Sequence, residues 1–495
     1  MSQHFPVLIA VVPLAAALLS PLFSYIKREL GKWVVICAIA FSFMSACGVL
    51  LQVLQSGTIH YHMGDWAPPI GIEFVLDPLN ATLAVLVTFV SLMVGIYGTP
   101  FMQDAGWLKM GGYYTLYGLL TAGLAGMIIT GDVFNLYVFL EISSLACYGL
   151  IALGGRKSVL AAFRYLVIGT IGASLYLMGV GYLYAITGTL NMADMAVRIV
   201  PLLDSPATFI AVGMFIVGFG IKMALFPLHG WQPDAYTYAH PAAAPLISGI
   251  MSKVPAYAIL RFFFYVFGAG SFVVQTGLEI MGILACAGII LGSVMAIAQK
   301  DFRRMLAYSS VAQIGYVIVG LAIGNVYGLI GAVLHIVNHA FMKGTLFLTI
   351  GGIQYRYGET NIDRFGRLYS KMPVTAIAMV IAAMSMIGLP PTGGFFSKWY
   401  LVLGAMQSGQ YVYIAIIILS SLLNAIYFFR VIEKMFINPA ENLKEVHKPK
   451  GALELPWQMV LPLLVMGLGI LALGLCNEPI VTSILQFALP EVLLR

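Results

Sequence analysis

The chain has 495 residues, 60% of them hydrophobic and only 9% charged, with a mean hydropathy of +0.94 and a formal net charge of +6. A soluble domain carries about 25% charged residues, so a water-soluble enzyme or binding module is excluded. A lipid-embedded β-barrel is excluded too, because its strands read as short alternating segments and this chain reads as long apolar runs.

Apolar runs of spanning length fall at 5–25, 32–53, 78–99, 111–130, 133–153, 163–187, 207–226, 240–262, 277–298, 303–322, 327–350, 373–403, 410–432 and 456–476. The expected fold is an all-α polytopic membrane protein of about 14 transmembrane helices. Basic residues alternate from side to side. Lys27, Arg28, Lys32, Lys109, Arg156, Lys157, Arg164, Lys300, Arg303, Arg304, Arg356, Arg364, Arg367, Lys371, Arg430, Lys434, Lys444, Lys448 and Lys450 flank or follow odd-numbered helices. Arg198, Arg261 and Arg495 fall on the other side. By the positive-inside rule both termini lie outside a cell (inner or plasma) membrane. The positive charge therefore reflects topology, and no nucleic-acid partner is implied. The outer loop at 54–77 contains G-I-E-F-V-L-D-P-L-N and is expected to form a short hairpin. The loop at 437–455 reads as an exposed connector.

Two runs are interrupted. Phe226-Pro227 breaks helix seven, and Gly388-Leu389-Pro390-Pro391-Thr392-Gly393-Gly394 breaks helix twelve. Each break closes a similar group, helices 4–8 and helices 9–13. Paired broken helices point to a repeat transporter, and five helices per group make the repeat inverted. The expected divisions are 1–110 for the first three helices and the outer hairpin, 111–262 and 277–436 for the two repeats, and 437–495 for the connector, helix 14 and tail.

Ionisable groups inside the runs are few, and each is costly there, by roughly 2.5–3.5 kcal/mol for a lysine. Glu141 is the one carboxylate clearly within a span, and Asp132 reads as that helix's N-cap. A buried Glu needs a partner or takes a proton. Lys222 and Lys253 are the available cations, and Lys222 is the expected partner. His335, His339 and Lys343 recur at i, i+4, i+8 and share one helix face, where two imidazoles could pass protons or, in the simpler reading, hold helices together. Lys398 follows the second break and reads as the end of a path, with snorkelling to an interface as the alternative. His229 and His240 in the connector, with Lys343, are secondary candidates. The aromatic run Arg261-Phe262-Phe263-Phe264-Tyr265 reads as lipid- or partner-facing packing, and the run from Gln299 to Arg304 as a topology anchor. The five cysteines, Cys37, Cys47, Cys147, Cys286 and Cys476, show no C-x-x-C pair and read as packing residues. No phosphate-binding loop, Rossmann fingerprint, haem pair, cluster motif or metal-ligand set is present, so no cofactor or metal is expected.

Five stretches carry a resemblance. They are G-D-V-F-N-L-Y-V-F-L-E (131–141), K-M-A-L-F-P-L-H-G-W-Q-P-D-A-Y (222–236), D-F-R-R-M-L-A-Y-S-S-V-A-Q-I-G-Y (301–316), H-I-V-N-H-A-F-M-K (335–343) and G-L-P-P-T-G-G-F-F-S-K (388–398). With these the chain resembles the antiporter-like membrane subunits shared by respiratory complex I and the Mrp-type multisubunit sodium/proton antiporters. Its length and the stretch G-T-L-N-M-A-D-M-A (188–196) look most like the MrpD-type branch and its relatives in membrane-bound hydrogenase-type complexes. The resemblance implies fourteen helices, inverted five-helix repeats and broken seventh and twelfth helices. It also implies a central polar axis with functional positions at Glu141, Lys222, Lys253, His335, His339 and Lys398. The implied role is proton translocation, with sodium a second candidate ion, by one subunit among other membrane subunits. On its own the chain would be no enzyme, though its complex could be a respiratory oxidoreductase. The competing readings are a scaffold or anchor of a redox complex with an inert polar axis, and a stand-alone transporter.

Overall fold

In the computed structural model, residues 2–437, 445–447 and 454–485 are described. The N-terminal part holds α1 (Phe5–Ile26), α2 (Arg28–Ser56), a hairpin of β1 (Ile59–His62) and β2 (Glu73–Leu76), and α3 (Pro78–Tyr97). The hairpin expected in the outer loop is present, antiparallel with Ile59 opposite Leu76. Next come α4 (Trp107–Ile129), α5 (Val133–Ala152), α6 (Arg156–Thr187), the short α7 (Met192–Arg198), α8 (Pro206–Met223), the short α9 (Gln232–Tyr238) and α10 (Ala244–Val266). The second group is α11 (Phe272–Ile297), α12 (Phe302–Ile323), α13 (Val326–Tyr357), the half-helices α14 (Pro373–Ile387) and α15 (Gly393–Gln407), and α16 (Tyr411–Phe436). α17 (Trp457–Leu475) follows. Among the described residues 13 helices are long and apolar enough to cross a membrane, and α14 is a shorter apolar helix.

The two groups share local chemistry at matching places. The Asp132 carboxylate caps α5 by accepting from the Asn135 amide, and Asp301 caps α12 through the Arg304 amide. The residues flanking each cap pair with a distant loop. Val133 N donates to Leu190 O and Met192 N to Gly131 O; Phe302 N donates to Thr360 O and Ile362 N to Lys300 O. Asn191 and Asn361 then each start a short helical turn. α6 and α13 end on left-handed glycines, Gly188 and Gly358, which need no Cβ there. α8 and α14 both start on proline and end on a left-handed residue, Ala224 or Gly388, with proline soon after.

Several expectations need correction. The helix before the first break stops at Met223, because Ala224 turns left-handed and Leu225 N bonds back to Gly220 O. The eighth crossing begins at Ala244 rather than 240 and contains two π-turns, Ile247–Met251 and Phe262–Val266. Phe262, Phe263 and Phe264 are buried rather than facing outward. Phe262 packs on Tyr176 of α6 and Phe215 and Phe219 of α8, while Arg261 pairs with Asp77. Aromatic periodicity alone does not separate lipid from protein contact, since both are apolar. In the run read as a topology anchor, Arg303 turns inward and is 5% exposed. The connector's residues 438–444 and 448–453, with Lys444, Lys448 and Lys450, lie outside the described residues, as does Arg495. Its described residues are pinned at two places: Arg356 pairs with Glu445, and the Glu454 carboxylate accepts from the Val374 and Thr375 amides at the start of α14.

Candidate functional site

The site begins with α5. Glu141, Ser144 and Tyr148 lie at i, i+3 and i+7 and so face one way. Opposite them is Lys222 in the last turn of α8, 2% exposed. Its Nζ donates to Ser144 Oγ at 2.7 Å and to Tyr148 Oη at 3.4 Å, and lies 3.7 Å from Glu141 Oε1. The predicted Glu141–Lys222 pair is therefore present as a charge contact, with the serine making the closer bond. Glu141 stays 22% exposed in its side chain. The break after Lys222 frees helix carbonyls, and Trp231 Nε1 donates to one of them, Ile221 O, at 2.8 Å.

Lys253 is buried in α10 just after the first π-turn, and its ammonium donates to Ser248 O within that turn. A π-turn leaves carbonyls outside the regular ladder, which gives a lysine something to bond in an apolar helix. Gly249 of this turn lies against α13: a Cβ there would sit 3.5 Å from Ala340 O and 3.9 Å from Gly344 Cα. Lys253 thus lies beside the stretch that carries His339 and Lys343.

On α13, His335 Nδ1 lies 3.0 Å from Ser397 Oγ and its Nε2 lies 3.0 Å from Gln313 Oε1. The His339 ring stacks on it at 5.8 Å between centroids, fully buried, and neither of its nitrogens has a hydrogen-bond partner among the described residues. The spacing rule for these two histidines holds. Lys343 Nζ bonds Leu306 O at 2.6 Å and Ser309 Oγ, both on α12. Lys398 reaches back across the second break. Its Nζ donates to Met386 O at 3.0 Å, Ile387 O at 2.9 Å and Ser421 Oγ at 3.0 Å, above the Tyr316 ring. It therefore caps the carbonyl end of α14, where a positive charge is favoured, and does not snorkel. No ion pair joins Lys253, Lys343 or Lys398 to a carboxylate among the described residues.

His229 and His240 are not brought into this row. His229 is half-buried against Phe226. His240 Nδ1 accepts from the Ala242 amide at 3.3 Å and its ring meets Phe101. Burial, aided by Lys109 and Arg303, pushes the His240 imidazole down to about 4. Sequence reasoning missed the hydroxyl and amide partners Ser144, Gln313, Ser397 and Ser421. Ser144 and Ser397 were findable from helical spacing or adjacency to a flagged residue; nothing local marks Ser421. It also missed Glu73, a buried carboxylate on the hairpin that accepts from Asn191 Nδ2 at 2.6 Å and lies 3.1 Å from His60 Nδ1. Among the described residues no three His, Cys, Asp or Glu side chains group as metal ligands.

Residues 130–424 match the family described as NADH:quinone oxidoreductase/Mrp antiporter, transmembrane. Residues 65–109 match the complex I chain 5 N-terminus. The chain is 49% identical over 498 residues to the N subunit of the NADH-quinone oxidoreductase of Desulforudis audaxviator, covering 99% of each. It is 34% identical over 440 residues to the D subunit of the Na(+)/H(+) antiporter of Alkalihalophilus pseudofirmus, covering 88% of this chain and 87% of that one. Among solved structures it superposes with a TM-score of 0.90 and 28% identity on a chain of the membrane-bound sulfane sulfur reductase, an archaeal respiratory membrane complex, over 99% and 97% of the two chains. It superposes with a TM-score of 0.86 and 25% identity on a chain of the Mrp complex from Dietzia sp., over 97% and 96%. The stretch that matches the family spans α5 to most of α16 and contains every residue of the buried row, so this chain belongs to the NADH:quinone oxidoreductase/Mrp antiporter family of membrane subunits.

Proposed function

We propose that this chain is an ion-translocating subunit of a larger membrane complex and carries protons along Glu141, Lys222, Lys253, His339, His335 and Lys398. The observation that carries the reading is the Glu141–Lys222 contact at 3.7 Å, from which the row of buried cationic and imidazole groups extends into the second half. At that separation two unit charges attract by about 4 kcal/mol near a protein surface, before desolvation is counted. Moving one charge through the membrane potential involves about 2.3 kcal/mol per 100 mV. Shifting Glu141 toward or away from Lys222 is therefore large enough to set whether the lysine holds its proton. The lysine Nζ releases or takes the proton, and the imidazoles of His339 and His335 lie between Lys253 and the Lys398 end.

The matched caps, bridges and left-handed helix ends support an inverted repeat of helices 4–8 and 9–13, with the connector and α17 added. The basic-residue asymmetry supports termini on the outer face. Relatives named as subunits of an NADH-quinone oxidoreductase and of a Na(+)/H(+) antiporter support other membrane subunits as partners and a chain that is not itself an enzyme. The intact complex, reconstituted in vesicles, tests the reading. Glu141→Gln should abolish proton movement while the complex still assembles. Unchanged flux would instead favour a scaffold. A sodium-sensitive dye in the same vesicles tells whether sodium is exchanged.

A further inference from the structure

Three arginines converge on α9, the short helix after the first break, and the proton row uses none of them. Arg164 Nη1 of α6 meets Asp234 Oδ2 at 3.0 Å, and Arg304 Nη1 of α12 meets Asp234 Oδ1 at 3.2 Å. Arg303 is different. It is buried, and no ion pair joins it to a carboxylate among the described residues. Its Nη2 donates to Tyr236 O at 3.2 Å and to Ala239 O, at the carbonyl end of α9. Its Nη1 donates to Gln354 Oε1 of α13 at 3.1 Å. A desolvated guanidinium is tolerated only when its donors are met. Here acceptors from both five-helix groups meet them, and the planar fork is what lets one side chain hold both.

The helix that carries Arg303 also touches the second half of the row. Along α12, Ser309 bonds Lys343, Gln313 lies 3.0 Å from His335, and the Tyr316 ring lies 5.0 Å below Lys398 Nζ. From the other end of α9 the contacts run toward Lys222. Trp231 bonds Ile221 O, the carbonyl next to Lys222, and stacks on Tyr165 at 3.6 Å. Tyr165 meets Tyr148 edge-on at 4.7 Å, and Tyr148 accepts from Lys222. One rigid helix therefore contacts Lys343, His335 and Lys398 with its side chains and holds the segment beside Lys222 with its first turn.

We infer that Arg303 is a positioning residue that couples the two halves: a change around Lys398 or His335 moves α12, and Arg303 passes it to the segment 224–239 that sets the surroundings of Lys222. The inference deepens the proposed function and takes its direction from it. Its test does not require transport. Hydrogen–deuterium exchange of residues 224–239 is measured by mass spectrometry on the intact complex in lipid, with and without Lys398→Met. Coupling through such a network corresponds to roughly 2–30-fold in an opening equilibrium. Lys398→Met should change exchange in 224–239 by an amount in that range. In an Arg303→Lys background, which keeps the charge but loses the fork, the change should disappear; in Arg304→Gln it should remain. If Lys398→Met leaves 224–239 unaltered, or alters it equally with Arg303→Lys, the assignment is overturned. Loss of proton flux in every variant with the exchange pattern intact would leave the coupling standing. An intact flux with Glu141→Gln would instead sink the proton row alone.

Discussion

At the level of single residues, the row depends on neutral partners as much as on charges. Ser144 Oγ lies nearer to Lys222 than Glu141 does, so the serine fixes where the ammonium sits while the carboxylate acts at longer range. Ser144→Ala should remove about 0.5–1.5 kcal/mol of that positioning. Proton flux by the intact complex should fall roughly 3–10-fold, and assembly on a native gel should be unchanged. Flux equal to wild type would mean that the 2.7 Å bond has no part in transport. The charged members were readable from sequence because a lysine or carboxylate in an apolar run is conspicuous. The neutral ones were not: a serine in a membrane helix commonly bonds its own helix, as Ser293 does to Ile289 O. Nothing local to Ser421 shows that it will meet Lys398 from another helix.

Among the elements, the two half-helix junctions place the lysines. Gly388 ends α14 at φ +93°, and a Cβ there would lie 3.0 Å from Lys398 Cδ and 3.4 Å from its Nζ. Gly388→Ala therefore combines left-handed strain of about 1–2 kcal/mol with displacement of the ammonium from Met386 O and Ile387 O. We expect a lower thermal midpoint for the complex and proton flux reduced at least as far as by Lys398→Met. A variant with wild-type flux would show that Lys398 need not cap α14. The breaks themselves were legible, since prolines and glycines in an apolar run admit no continuous helix. The exact end of α8 was not, because Ala224 adopts the left-handed conformation without being glycine. The outward reading of Phe262–Phe264 failed for a related reason: apolar side chains carry no mark that separates lipid from a neighbouring helix.

Across the whole molecule, the two groups meet where Arg303, His240 and α9 lie together. The His240 imidazole is held neutral by burial, with its folded value down at about 4 against an ordinary value of 6.5. An unfolded chain takes up that proton more readily, so the stability this group contributes is fully present above about pH 6.5. It is lost as pH falls from there through 4. Replacing it by His240→Phe should make the thermal midpoint of the complex less sensitive to pH over that window; an unchanged slope would place the acid sensitivity elsewhere. The long apolar helices, the hairpin and the family were legible because hydropathy runs, turn residues and long motifs are local features. The contact of the halves through α12 was hidden. It depends on Arg303 turning inward from a basic run in which Lys300 stays exposed and Arg304 half-buried.

The central claim is that protons cross on the buried row, and Lys222 is its most enclosed charge with an acidic partner. The most direct test is proton flux into vesicles holding the fully assembled complex, wild type against Lys222→Ala, with assembly checked in the same preparation. Flux lost from an intact complex is the result the account predicts. Wild-type flux from an intact Lys222→Ala complex would contradict it and leave the row a structural seam.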